Sequence, residues 1–135
     1  MTIQMSTALR NALLDQIETT AGTAVKVQIR SGAQPANCAA ADSGTLLAEF
    51  TLDSDWASAA SAGVKTFTGL PKTATAGATG TAAHYRFKDN AGTTTHMQGT
   101  VTATGGGGDM TIDNTSIASG QSVQITSWTI TAPGA

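Results

Sequence analysis

At Gly22 the hydrophobic pattern of the chain changes period. Before it, Leu9, Leu13 and Ile17 recur every four residues and Leu14 widens the stripe, as in an amphipathic helix. Ser6 or Thr7 is placed to cap the first turn, and Gly22 lies where the helix stops. Beyond Gly22, apolar and polar residues alternate. Val25, Val27 and Ile29 oppose Lys26, Gln28 and Arg30; Leu46, Ala48, Phe50 and Leu52 oppose Glu49 and Thr51; Ala83, Tyr85 and Phe87 oppose His84, Arg86 and Lys88. Met97 and Val101 share a face of a later run. In the last run Val123 and Ile125 differ in parity from Trp128 and Ile130, and a β-bulge near Ser127 would return all four to one side.

Short alternating strands separated by Gly, Pro, Asn and Asp turns predict a mainly β fold, an antiparallel β-sandwich or jelly-roll-like domain with one short N-terminal α-helix. Parallel α/β architecture would need helices between strands, and the one convincing helix comes first. The expected organisation is an N-terminal arm and helix over residues 1–22 and a single β-sandwich domain over 23–135. The small, polar stretch 71–83 reads as a long loop carrying at most an irregular edge strand.

At 135 residues the chain fits one domain with its own core. Charged residues make up only 12% of it, against about 25% in ordinary domains. With a net charge of −2, scattered basic residues offer no electrostatic footprint for nucleic acid. Low surface charge also means weak repulsion between copies, which suits a protein that packs against others. Cys38 is the only cysteine, so no intrachain disulfide forms. The first residues lack the basic and apolar regions of a secretory signal, and no window approaches the ~20 apolar residues that span a bilayer. The sequence therefore predicts a protein made in a cytosol, without a membrane partner.

Residues with catalytic potential are few and do not combine. The run Gly105–Gly108 precedes Asp109 with neither the lysine nor the helix of a phosphate loop. Asp109 and Asp113 supply fewer oxygens than calcium takes; a flexible, exposed hairpin joint is expected there. His84 and His96 lie on the polar faces of adjacent predicted strands across the turn at 89–92, where pairing would let them approach, but two histidines fall short of a zinc set. Glu18 and Glu49, the only glutamates, sit on different elements. Lys26, Arg30, Arg86 and Lys88 are expected to share one outer sheet face. No enzyme and no cofactor is expected. Trp56 lies in a predicted loop, either plugging the core or anchoring a subunit contact. Ile3 and Met5 of the arm, Leu9, Leu13 and Ile17 of the helix, and Trp56 are the candidate subunit or capsid contacts, within an arm and helix taken as residues 1–17. A short amphipathic helix must lay its stripe on its own sheet or on a neighbour.

Taken together, STALRNALLDQIE, SGAQPAN, GTLLAEFTL, SAGVKTFTG, ATGTAAHYRFKDNAG, MQGTV and IDNTSIASGQSVQITSWTIT resemble a group of small virion structural proteins of tailed bacteriophages. The resemblance runs over nearly the whole chain, and no motif within it is catalytic. It implies a structural virion protein, without fixing its place on the particle; the leading expectation is a capsid decoration or cement protein that binds the head surface as a homo-oligomer, dimer or trimer. Its partners would be further copies of itself and other phage structural proteins, the major capsid protein first. It would be assembled in the bacterial host cytoplasm. A collar, neck or tail-fibre component is the alternative within that class. A host-surface or glycan-binding module, using Trp56, Tyr85 or Trp128 as a stacking platform, is the alternative outside it.

Overall fold

A computed structural model describes residues 3–135. It is a mainly β protein with one helix, α1 (Thr7–Ala21), followed by nine strands. These are β1 (Lys26–Ser31), β2 (Leu46–Thr51), β3 (Val64–Thr66), β4 (Lys72–Thr75), β5 (Gly80–Lys88), β6 (Thr95–Ala103), β7 (Met110–Ile112), β8 (Ser116–Ile117) and β9 (Ser122–Thr131). The helix starts where its cap dictates: the Ser6 hydroxyl accepts from the Leu9 amide. It stops at Gly22, whose positive φ no other residue adopts as easily.

The strands form one curled sheet of order β2-β1-β5-β6-β7-β9-β3, with β4 on β9 and β8 on β5. The curl nearly brings its ends together, because the Gly77 amide just past β4 donates to the Leu47 carbonyl of β2 at 2.9 Å. The 71–83 stretch is therefore not mainly loop: β4 pairs along β9, and β5 begins at Gly80. Neither is the sheet wholly antiparallel. β6 and β7 run parallel, Val101 opposite Met110 and Ala103 opposite Ile112.

Three bulges decide which side chains face inward. Between β7 and β9, Thr111 opposes Ser127 while Ile112 opposes Ile125. Thr126 is thus the extra residue, and Val123, Ile125 and Trp128 are all buried. The expected bulge exists, one residue from Ser127. In β2, Ile29 opposes Ala48 and Arg30 opposes Leu46. Leu47 is therefore skipped and turns inward, while Leu46, expected in the core, is exposed. In β5, His84 opposes Arg30 and Ala82 opposes Ser31, so Ala82 is buried and Ala83 is the exposed one.

The concave face closes over a single aromatic cluster. Phe67 stacks on Trp128 with centroids 3.8 Å apart, Trp56 packs against Phe67 and Phe87, and Tyr85 meets the edge of Trp128. A chain with few aromatic residues thus concentrates five of them where large rings exclude the most water.

Candidate functional site

The helix buries only one edge of its hydrophobic stripe, Leu14 with Ile17 at the margin, and leaves Leu9 and Leu13 half-exposed. Its sheet-facing side carries polar groups that each find a specific partner. Arg10 donates twice to the Ala132 carbonyl. Asn11 Oδ1 accepts from the Gly63 amide and Asp15 Oδ1 from the Ala60 amide, each at 2.8 Å. Asp15 and Glu18 both pair with Lys65 of β3, which has no exposed side-chain surface. Burial would lower the Lys65 pKa, but bonds to the two carboxylates raise it above the ordinary value, so the ammonium stays charged. The Lys65 bond, aided by the Ala60 amide, holds Asp15 below the usual carboxylate range.

Leu14 and Ala21 are buried beside these contacts, and Ile17 packs on the core at its margin. Leu9 and Leu13 are left 49% and 48% exposed on the outer side. Next to them an apolar groove of about 220 Å³ is lined by Leu13, Gln16, Ile17, Thr20, His96 and Met97. The arm continues this exposed character: Ile3 is 74% exposed, and the Met5 amide donates to the Gly134 carbonyl at 2.8 Å. Residues 1–2 of the expected contact segment lie outside the described residues.

Of the six candidate contacts, the structure thus brings Leu9, Leu13 and Ile17 onto one side of the helix, with Ile3 and Met5 on the chain leading into it. Trp56 stands apart. It is 1% exposed and its indole N–H donates to the Gly22 carbonyl at 2.8 Å. It plugs the core, with no free surface to offer a neighbouring subunit. The same burial removes the aromatic platform that glycan stacking would need, since Tyr85 and Trp128 are also buried.

The basic strip exists but is covered, a feature the alternation could not reveal. Lys26 lies opposite Lys88 and Gln28 opposite Arg86, on the outer face of β1 and β5. The segment 33–42 folds over this face, and Asp42 pairs with Arg30, Arg86 and Lys88 at once. The Arg86 guanidinium also donates to the Cys38 and Ala40 carbonyls, to Thr95 and to Gln98. Burial would raise the Asp42 pKa; the Lys88 bond and the three cationic charges outweigh it and hold the carboxyl below its ordinary value. The donors of the buried Arg86 and Lys88 are thereby taken up by one carboxylate, two carbonyls and two side chains. The segment and its sheet form a polar second core.

The histidines do not meet. His84 sits opposite Thr100, four positions along β6 from His96, and His96 borders the helix groove instead. His84 Nδ1 lies 3.0 Å from the Gly32 carbonyl. A carbonyl only accepts, so Nδ1 carries the proton and the buried Nε2 is left without a partner. Burial, reinforced by Arg30 and Arg86, lowers the His84 pKa.

The glycine run is not a hairpin joint. The link 104–109 doubles back alongside β6 and turns a second time, so that β7 runs parallel to β6 from the level of Val101. Asp109 Oδ2 accepts from the Thr100 amide and hydroxyl at 2.8 and 2.9 Å, and the Gly108 amide donates to the Thr102 hydroxyl. A Cβ on Gly106 would come within 2.9 Å of the Ala103 carbonyl oxygen, and one on Gly108 within 2.8 Å of the Thr102 methyl. The loop is exposed, as expected, but glycine serves close approach there as much as turning. Asp113 accepts from the Gln124 amide, so it and Asp109 serve separate bonds. Among the described residues no group of three or more His, Cys, Asp and Glu is placed to hold a metal.

No family model, curated protein or solved structure matches the chain.

Proposed function

We propose that this chain is a structural protein of a tailed-phage virion, and most specifically a decoration or cement protein of the head. The observation that carries the reading is the seating of α1: its polar side is consumed by the protein's own sheet and its leucine ridge faces outward. An apolar ridge beside an apolar groove, on a surface with little charge, suits burial against another protein. The ridge of Leu9 and Leu13, with Ile17 at its margin, would be the capsid contact. Many copies, each adding a modest contact, would hold together a shell that single contacts could not. In this reading the curled sheet is a variant of the sandwich or jelly-roll design, closed on one side by β4 and β2.

The test is to locate and count the protein in purified virions of the phage that encodes it. Density over the head surface with a copy number on the order of hundreds is expected for a repeating shell contact. About a dozen copies or fewer would move the protein to the collar, neck or tail. Absence from the particle would refute the reading.

A further inference from the structure

β7 is too short for the place it occupies. It spans only Met110–Ile112 and pairs with β6 at Val101–Ala103 and with β9 between Ile125 and Trp128. Below it, where Asp109 and the glycine loop turn away, β6 and β9 continue past one another with no strand between them. The gap is a cleft of about 520 Å³, with Met97, Gln98, Thr129, Ile130 and Thr131 on its walls and Asp109 at its closed end. Two strands that flank a common neighbour stand roughly 9–10 Å apart, twice the inter-strand spacing.

The backbone on both walls is turned into this gap. In β6 the Thr100 and Thr104 amides point to the β7 side, toward Asp109 and Ile112. By strand alternation Gln98 points the same way. In β9 the Trp128 carbonyl and the Ala132 amide are used on the β3 side, by Phe67 and Gly63, so Thr129 and Thr131 present theirs to the cleft. The walls are also two-sided. Met97 and Ile130 belong to the inward, apolar parity; Gln98, Thr129 and Thr131 belong to the outward, polar one. Met97 also lines the groove beside α1, so cleft and groove adjoin.

We propose that the cleft is a strand-acceptor site and that its occupant is the N-terminal arm of a second copy of this chain. The arm has the matching pattern: Ile3 and Met5 alternate with Gln4, none of them charged, and Ile3 is largely exposed. An extended arm adds main-chain hydrogen bonds to both walls, as in strand addition to an open sheet edge. Its apolar residues fall beside Met97 and Ile130, and its polar ones beside Gln98 and the threonines. Within one chain the arm rests on its own tail, the Met5 amide bonded to Gly134 and the Ile3 carbonyl beside the same glycine, so exchange releases that contact; Gly134 lies three residues beyond Thr131. Donor and acceptor therefore lie at the same end of β9, which lets two copies exchange arms reciprocally about a twofold axis. The inference deepens the homo-oligomeric part of the proposed function and rests on it.

The molar mass of the full chain, of a chain starting at Ser6 and of the Gln4→Pro variant, by sedimentation equilibrium up to high micromolar concentration, tests the site. A dimer is expected for the full chain, with mass halved in the truncated chain and the dimer weakened in Gln4→Pro, which removes one arm N–H. Thr131→Pro, which removes an acceptor-wall N–H, should act likewise, and circular dichroism shows whether it has folded. The peptide MTIQMS should bind the truncated chain and not the full one. A monomeric full chain, including one whose own arm fills the cleft, would overturn the proposal. So would a dimer that survives truncation. The two readings fail separately: a truncated chain that stays dimeric yet still binds phage heads would overturn the arm exchange and leave the capsid reading intact, whereas an arm-dependent dimer absent from virions would support the exchange and overturn the capsid reading.

Discussion

Lys65 of β3 reaches Asp15 of α1 at 2.8 Å from a position with no exposed side-chain surface, and Glu18 shares the same ammonium. The bond orients the helix, because an ammonium taken out of water must keep its carboxylates. The expected asymmetry is large. Asp15→Ala combined with Glu18→Ala strands a buried cation and should lower the melting temperature more than Lys65→Met, which leaves two carboxylates that water can reach. Equal losses by differential scanning calorimetry would show that the Lys65 ion pairs do not orient the helix.

The outward ridge predicts a separation of binding from stability. Leu9→Lys and Leu13→Lys change half-exposed side chains, so stability should shift by no more than about 0.5 kcal/mol. Head binding, measured by co-sedimentation with particles lacking the protein, should fall sharply. Leu14→Ala, one residue away on the buried side, should instead cost about 2–5 kcal/mol in urea unfolding. A ridge variant that binds heads as well as the parent would remove the ridge from the contact.

Arg86 is the hub of the outer polar layer. Arg86→Met leaves the Cys38 and Ala40 carbonyls without their donor while Asp42 keeps Lys88 and Arg30, and should destabilise by about 1–3 kcal/mol, as for buried acceptors left unpaired. It should also free the segment over the sheet, so the Cys38 thiol reacts faster with a disulfide reagent under native conditions. Unchanged thiol reactivity would mean that other contacts hold the segment.

His84 should set a step in stability on the acid side of neutrality. Its folded pKa lies below the ordinary histidine value, chiefly through burial. As pH falls through about 6.5, the unfolded chain takes up a proton that the folded chain refuses. Stability from this group is therefore complete above that value and declines as pH drops toward the folded pKa. His84→Gln should flatten the pH dependence of the unfolding free energy between about pH 5 and 7. The same slope in both proteins would show that another group titrates there.

In the glycine loop, Gly106→Ala forces a methyl toward the Ala103 carbonyl and the Thr102 side chain, and should cost about 1–3 kcal/mol. The loss should be accompanied by faster amide exchange at Thr104, whose N–H bonds the Ile112 carbonyl. A neutral substitution would mean that the crossover relaxes freely.

The sequence made some of this legible and hid the rest for identifiable reasons. The bulge near Ser127 was visible because four large apolar residues broke parity. The bulges in β2 and β5 left no trace, because Leu46-Leu47 and Ala82-Ala83 are pairs of identical residues and a one-residue slip changes no pattern. Helix limits followed from Ser6 and Gly22, but not the face it buries. That choice is made by partners far along the chain at Ala60, Gly63, Lys65 and Ala132. That Leu9, Leu13 and Ile17 share one side of the helix was readable from their spacing. The acceptor cleft was not, because it depends on β6 and β7 running parallel, and a short glycine link ordinarily implies a hairpin.

The segment 33–42 carries a consequence for how the protein meets a protease. Half of its residues are alanine and none lies in a helix or strand, yet Arg86 grips its carbonyls and Asp42 fastens its end to three cations. Cleavage needs several residues to lift away and extend, which here requires breaking those bonds together. A stretch without helix or strand is thus a tethered strap, protected for as long as the sheet beneath it stays folded.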